Sequence, residues 1–216
     1  FSKIETNQLD VKTISKEELN KIIEEIINQK LGMSKNYIFT SSPKFIVLTK
    51  RLKKVVNESI QYIIEQLKNS KFELYGHELE FNEKSELKPM KIDLENGNQV
   101  TVTGKIDRID IAKTENNTYV RIIDYKSSVK DINLNQVVAG IQIQLLTYLD
   151  EISQQKQFDP AGVLYFSLID TIIKADKKMT DEQLKKEINK NFKMKGQSKK
   201  ILSQVEFYIL ICLILL

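Results

Sequence analysis

Residues 104–126 read GKIDRIDIAKTENNTYVRIIDYK, two strand-like apolar stretches that meet at the turn-like Glu115-Asn116-Asn117. This pattern predicts two antiparallel strands joined by a hairpin. Residues opposite each other in a hairpin have numbers with a constant midpoint, and the midpoint of Asp107 and Asp124 is 115.5, inside this turn. We therefore expect the two carboxylates to be near neighbours, within a residue or two of register.

Two neighbouring carboxylates repel each other unless a positive charge lies between them. A divalent cation meets this need, and hard oxygen ligands suit Mg²⁺ or Mn²⁺. Lys126 is two residues from Asp124, so both side chains leave the same face of the strand, and the ammonium could assist attack on a phosphate. The alternative is a set of surface ion pairs across the hairpin. Its members would be Asp107, Arg108, Asp110, Arg121 and Lys126.

A third element follows in the segment GIQIQLLTY at residues 140–148. Gln144 and Tyr148 are four residues apart, so they share one face of a helix. Both side chains can hydrogen-bond a phosphate or a catalytic group. They could equally form a polar stripe beside an apolar core.

The flanking sequence sets the fold class. Helical spacing and capping signals predict helices at 15–29, at 135–152, at 180–190, and from Ser42 for some 25 residues. Alternation predicts strands at 72–81, with a bulge at Gly76, and at 90–94, 100–106 and 161–168. This order predicts an α/β (α+β) fold in which a mixed central sheet is flanked by helices.

Composition excludes several classes of protein. The chain has 216 residues, 33 Lys+Arg against 29 Asp+Glu and a net charge of +4, which is ordinary for a globular domain. The single cysteine, Cys212, excludes a disulfide framework and fits a reducing compartment. Residues 171–200 hold ten Lys, either a path for a phosphate backbone or a solvated helix and tail. The apolar run Val205–Leu216 is too short for a membrane anchor, so we expect no membrane partner.

The ordered motifs resemble the RecB-like branch of the PD-(D/E)XK nucleases. They are G-x-I-D at 104–107, D-Y-K at 124–126 and Q-x-x-x-Y at 144–148. The resemblance is closer still to the C-terminal nuclease domains of the B subunits of bacterial ATP-dependent helicase/deoxyribonucleases (AddB). It covers about residues 1–196 and implies a restriction-endonuclease-like core.

The resemblance also implies roles for individual residues. Asp107 and Asp124 are expected to ligate Mg²⁺, for which Mn²⁺ can substitute, and Lys126 is expected to be the catalytic lysine. Gln144 and Tyr148 are expected to support the active site or the substrate strand. A further candidate for a supporting acid is Glu80.

The function implied by the resemblance is metal-dependent exonuclease cleavage of DNA in double-strand-break repair, in the cytoplasm. The partners are DNA and the A subunit, a helicase-nuclease. The expected division of the chain is an N-terminal helical part at 1–70, a nuclease core at 71–196, and an aberrant or truncated tail at 197–216.

The chain departs from the family in two places. The family has a His near the metal on a helix before the present start, whereas His77 lies in a predicted strand, and we interpret it as structural. The family also binds a 4Fe-4S cluster through four Cys, which Cys212 alone cannot hold. We therefore interpret the chain as a fragment or truncated product. Two alternatives to an AddB-type nuclease stay open: a separate RecB-like nuclease, and an inactive remnant with a structural or docking role.

Overall fold

A computed structural model describes residues 1–7, 9–32, 42–94, 96–170 and 179–198. The helices in these ranges are α1 (Ser2–Thr6), α2 (Lys16–Gly32), α3 (Pro43–Lys68), α4 (Leu134–Val138), α5 (Gln144–Lys156) and α6 (Asp181–Asn191). The strands are β1 (Glu73–Phe81), β2 (Met90–Asp93), β3 (Gln99–Val102), β4 (Gly104–Lys113), β5 (Thr118–Lys126), β6 (Asp159–Ser167) and β7 (Lys195–Ser198).

Five of these strands form one sheet in the order β1-β4-β5-β6-β7. Strands β5 and β6 are parallel, because α4 and α5 carry the chain back between them, and the other neighbours are antiparallel. The sheet is therefore mixed, which confirms the predicted fold class. The predicted bulge is also confirmed, since the register of β1 against β4 shifts between Leu74 and Gly76.

The hairpin predicted around Asn96-Gly97 forms, but as a separate two-stranded sheet of β2 and β3. Gly97 has φ 77°, a left-handed conformation that glycine adopts at no steric cost. The predicted strand 100–106 is wrong in its extent. Strand β3 ends at Val102 and β4 begins at Gly104, so the chain changes sheets between them.

The helix predicted over 135–152 is broken into α4 and α5. Gly140 has φ 74°, which no right-handed helix accommodates, and it lies in the interruption. As a result Gln144 is the first residue of α5 and not a residue in the middle of a long helix. The apolar periodicity continues across the interruption, which is why the sequence pattern missed it.

The other helix predictions are confirmed apart from small shifts at their ends. Pro43 begins α3, which runs 26 residues. Thr180 and Gln183 form the expected capping box of α6, each side chain accepting from the other's backbone N–H. None of the helices in the described ranges is both long and apolar enough to span a membrane.

The described residues divide into two compact units. The helical unit comprises those of Phe1–Ser70 and Leu168–Lys193, with an apolar core built from α1, α2 and α3. The sheet unit comprises those of 71–167 and 194–198, and its core lies between the central sheet and α5. The three-part division into 1–70, 71–196 and 197–216 stays a prediction. Gln197 and Ser198, the first residues of the predicted tail, belong to β7.

Candidate active site

The hairpin of β4 and β5 aligns Asp107 with Asp124. The register pairs Arg108 with Ile123 and Ile109 with Ile122, so Asp107 and Asp124 are the next pair in the same register. This is the register that the turn predicted. The Tyr125 backbone N–H donates to Asp107 Oδ2 over 2.9 Å, which fixes the Asp107 carboxylate against the end of β5.

Asp124 and Lys126 form an ion pair within β5. The Lys126 ammonium lies 2.7 Å from Asp124 Oδ2. Asp124 is buried, whereas a third of the Lys126 side chain is exposed. Burial raises the pKa of Asp124, and this effect, with repulsion from Asp107, outweighs the lowering by Lys126. The hydrogen bond that Lys126 donates to Asp124 raises the pKa of Lys126, so the amine stays protonated.

Strand alternation divides the charged residues of the hairpin between two faces of the sheet. We call the first the site face; it carries Asp107, Asp124 and Lys126. The second, which we call the network face, carries Arg108, Asp110 and Arg121.

On the network face, two arginines form ion pairs with Asp110, which is fully buried. Arg108 donates through Nε and Nη2 to the two carboxylate oxygens, each over 2.7 Å, and Arg121 Nη2 donates to Oδ2 over 2.8 Å. Arg121 also stacks on the Phe72 ring at 4.2 Å. Burial lowers the pKa of Arg108, but Asp110 and Tyr125 together raise it above its ordinary value. The alternative of surface ion pairs does not describe these three residues, because Arg108 and Asp110 are fully buried and Arg121 is largely buried.

Gln144 and Tyr148 lie on one face of α5, and Gln144 Nε2 donates to Tyr148 Oη over 2.9 Å. Tyr148 is buried and packs edge-to-face on Phe81, with ring centroids 5.0 Å apart. Its hydroxyl approaches β4 closely: a Cβ at Gly104 would lie 2.7 Å from it. In the described residues, neither member of the pair hydrogen-bonds to Asp107, Asp124 or Lys126. Their assignment to the active site stays a prediction.

Glu80 and His77, the two residues of β1 named in the sequence analysis, make no hydrogen bond to Asp107, Asp124 or Lys126 in the described residues. Glu80 is exposed and accepts a hydrogen bond from Asn82 Nδ2 over 3.1 Å. His77 is half-buried and pairs in register with Arg108.

Tyr165 is a neighbour of the site face that sequence analysis missed. It lies on β6, in register with Asp124, and the Lys126 ammonium is 5.8 Å from the centroid of its ring. Burial raises the pKa of Tyr165, with a further increase from Asp124. The one sequence signal was the apolar strand at 161–168, but its register against β5 could not be read from the sequence.

The donor atoms of the site face suit Mg²⁺. The described residues contain no cluster of three or more His, Cys, Asp or Glu that could hold a metal. Mg²⁺, however, retains several waters and is commonly bound by one or two carboxylates plus substrate phosphates. The carboxylates of Asp107 and Asp124 form such a set, so the residues present fit the ion that the sequence predicted.

The basic stretch at 171–200 gives little support for a separate phosphate path. Within its described part, three lysines of α6 are each paired with a carboxylate. The pairs are Lys185 with Glu65, Lys186 with Glu182 and Lys190 with Glu187. These exposed pairs leave α6 close to neutral, which favours the interpretation as a solvated helix. Residues 171–178, and the tail from 199 onward with Cys212, lie outside the described residues.

The chain is similar to bacterial proteins that are named as the B subunit of an ATP-dependent helicase/deoxyribonuclease. The protein of Caldanaerobacter subterraneus is 39% identical over 198 residues, 89% of this chain and 17% of that protein. The protein of Acetivibrio thermocellus is 39% identical over 83% of this chain and 16% of its own length. The protein of Clostridium novyi is 42% identical over 81% of this chain and 16% of its own length.

The chain thus spans about one sixth of the length of these relatives. A second comparison concerns the family alone: the model of the PD-(D/E)XK nuclease superfamily matches residues 3–207, nearly the whole chain. The match includes both strands of the hairpin, the α5 pair and β6. This chain belongs to the PD-(D/E)XK nuclease superfamily.

Proposed function

We propose that this chain hydrolyses DNA phosphodiester bonds with Mg²⁺, as an exonuclease domain of the helicase-nuclease B-subunit type. The observation that carries the proposal is the site face, where two carboxylates and one ammonium meet at the ends of adjacent strands. This cluster has a net negative charge that its own lysine does not neutralise. A divalent cation would balance it, and a phosphate would complete the coordination.

The residues of the site face divide the chemistry between them. Asp107 and Asp124 would hold Mg²⁺, which supplies Lewis-acid stabilisation of the charge that develops on the phosphate. Asp107 is held in place by the Tyr125 backbone N–H. Lys126, protonated beside Asp124, is placed to donate to a phosphate oxygen or to orient the attacking water.

The Gln144–Tyr148 pair has a supporting role in this proposal. Its hydrogen bond and the packing of Tyr148 on Phe81 fix the first turn of α5. The remaining donor of the Gln144 amide can then bind the substrate strand or a catalytic group.

The setting of the reaction is proposed from the family resemblance, together with the names of the relatives, which describe a subunit of an ATP-dependent helicase/deoxyribonuclease. We propose double-strand-break repair in the cytoplasm, with DNA as substrate and an A subunit with helicase and nuclease activity as partner. A 4Fe-4S cluster would belong to a longer protein, because one cysteine cannot ligate it.

The test is Mg²⁺- and Mn²⁺-dependent degradation of end-labelled single-stranded DNA by the purified chain. We expect Asp124→Ala and Lys126→Ala each to lower kcat by about 10³-fold or more, because each removes a charge used in the transition state. The matched control is Asp10→Ala with Lys12→Ala, the same Asp-x-Lys spacing outside any strand. We expect this control to cleave at the wild-type rate.

Urea unfolding of each variant separates lost chemistry from lost structure. If the wild-type chain is folded and cleaves no DNA with either metal, the proposed activity is wrong for this chain. Titration with Mn²⁺ then distinguishes two forms of that result. A folded chain without metal affinity would be the inactive remnant, whereas one with affinity would need residues from outside this chain.

A further inference from the structure

Tyr165 is a candidate for a role in the site that neither the motifs nor the proposed mechanism uses. It is the register partner of Asp124 across the parallel pair of β5 and β6. Register partners in neighbouring strands project to the same face of a sheet, so Tyr165 shares the site face. The residue is buried within the core cluster of the sheet unit.

The contact of the Tyr165 ring differs from those of two other tyrosines near the site. Tyr148 packs edge-to-face on Phe81, and Tyr125 does so on Phe166. For Tyr165 the ring contact within the described residues is with a cation, the Lys126 ammonium, 5.8 Å from the ring centroid. This separation is within the range of cation–π attraction.

The ammonium of Lys126 therefore has two restraints. Asp124 Oδ2 lies 2.7 Å away on one side, and the Tyr165 ring lies on another. A lysine side chain has four rotatable bonds and loses much of its conformational freedom only when several contacts fix it. One third of this side chain is exposed, so without the ring a swing towards solvent would be open to it.

We propose that Tyr165 is a positioning residue for Lys126, whose ring keeps the ammonium beside Asp124 and pointing into the site. The consequence for catalysis rests on the proposed nuclease function, whereas the contact itself does not. The two parts can therefore be tested separately. Tyr165→Leu removes the ring, and Tyr165→Phe keeps the ring and removes only the hydroxyl.

The first measurement needs no activity. We would acylate the chain at low reagent excess and follow Lys126 by mass spectrometry, with exposed Lys113 of β4 as the internal reference. Tyr165→Leu should raise the ratio of Lys126 to Lys113 modification several-fold. Tyr165→Phe, which keeps the ring, should show the same ratio as wild type. An unchanged ratio in Tyr165→Leu would overturn the proposal, whether or not the chain cleaves DNA.

The second measurement is steady-state cleavage of single-stranded DNA with Mg²⁺. We expect Tyr165→Leu to lower kcat by about 3- to 30-fold with little change in KM, the range that corresponds to one cation–π contact. Tyr165→Phe should recover most of the loss. Val163→Ala is the matched control for core damage, because Val163 is fully buried on β6 two residues away. Equal losses of kcat in Tyr165→Leu and Val163→Ala, without rescue by Phe, would reduce Tyr165 to a packing residue and contradict the proposal.

Discussion

The two faces of the β4–β5 hairpin both carry acidic and basic side chains, but these differ in burial and in how completely they are hydrogen-bonded. On the network face, two guanidinium groups share the fully buried carboxylate of Asp110 through hydrogen bonds of 2.7–3.0 Å. On the site face, two carboxylates share one ammonium, and part of the cluster is open to solvent. The Asp107–Asp124–Lys126 cluster thus has an excess negative charge, whereas the Arg108–Asp110–Arg121 network has an excess positive charge.

We infer from this difference that the network face serves the fold, and the same difference supports the proposed catalytic role of the site face. The acid of the network face accepts hydrogen bonds at both of its oxygens, so this buried carboxylate is satisfied without a ligand. The Asp107–Asp124–Lys126 cluster of the site face has a negative excess, and burial raises the pKa of Asp124 even with Lys126 beside it. A set of charges that is unfavourable without a ligand is typical of a binding or catalytic site. Each of the following substitutions tests this distinction.

The largest effect on stability is expected from Asp110→Ala on the network face. This variant removes the carboxylate that both Arg108 and Arg121 contact, and breaking a buried pair costs about 3–5 kcal/mol. Asp107→Ala on the site face should lower the free energy of unfolding by only about 0.5–1.5 kcal/mol, through loss of the hydrogen bond from the Tyr125 N–H, while it abolishes cleavage. Urea denaturation of the two variants makes the comparison.

The distinction between the faces would fail if the two variants lost similar stability. It would also fail if Asp110→Ala kept its fold and lost only activity, because Asp110 would then act on the chemistry. Asp110→Asn is a useful intermediate, since it keeps the shape and removes the charge. It should lie between wild type and Asp110→Ala in its unfolding midpoint.

A smaller effect is expected from Gly104→Ala, which tests how closely α5 is packed against the start of β4. The added methyl group would lie 2.5 Å from Phe81 Cζ and 2.7 Å from Tyr148 Oη. Such overpacking costs about 1–3 kcal/mol. It should also displace the Tyr148 hydroxyl from Gln144 and lower kcat if that pair supports the site.

Gly32→Ala is the control for this variant, because no described atom outside the adjacent backbone of α2 and the neighbouring residues lies within 4 Å of a Cβ at that position. We expect its unfolding midpoint to equal or exceed that of wild type. If Gly104→Ala were as stable as Gly32→Ala, Tyr148 could move away from β4 with little loss of stability. Gly104 would then have no part in positioning Tyr148.

Sequence alone predicted the features that depend on short-range geometry. The register that pairs Asp107 with Asp124 follows from the hairpin turn, and the contact between Gln144 and Tyr148 follows from helical spacing. Both relations involve residues joined by a single turn or a single helix. The bulge near Gly76 was also predictable, because the alternation of apolar residues changes phase there.

Features that depend on distant pairing were not predictable. Tyr165 meets Asp124 only because β6 returns parallel to β5 after two helices, and nothing in either strand sets that register. The burial of Arg108 and Asp110 was missed because charged residues are read as exposed unless their partner is known. The interruption at Gly140 was missed because one glycine is tolerated in many helices.

The smallest effect on the free energy of unfolding is expected from Asp124→Asn, and this substitution should stabilise the protein, whereas Asp110→Ala, Asp107→Ala and Gly104→Ala should destabilise it. The pKa of this carboxyl is raised above its ordinary value of 3.8, chiefly by burial. As pH rises from the ordinary value to the raised one, the folded state holds a proton that the unfolded state has released, so the free energy of unfolding falls. Above the raised pKa the free energy of unfolding has lost its full amount. An Asn at this position carries no charge and avoids this loss.

Asp124→Asn should therefore have a higher free energy of unfolding and a higher Tm than wild type at pH 7 without metal. The gain should vanish well below pH 3.8, the ordinary pKa of the group, and exposed Asp93→Asn should show none at either pH. Added Mg²⁺ should raise the Tm of wild type but not of Asp124→Asn, since only the former keeps both proposed ligands. A variant less stable than wild type at pH 7 would mean that the Asp124–Lys126 pair stabilises the fold as the network face does, and the contrast between the two faces would be lost.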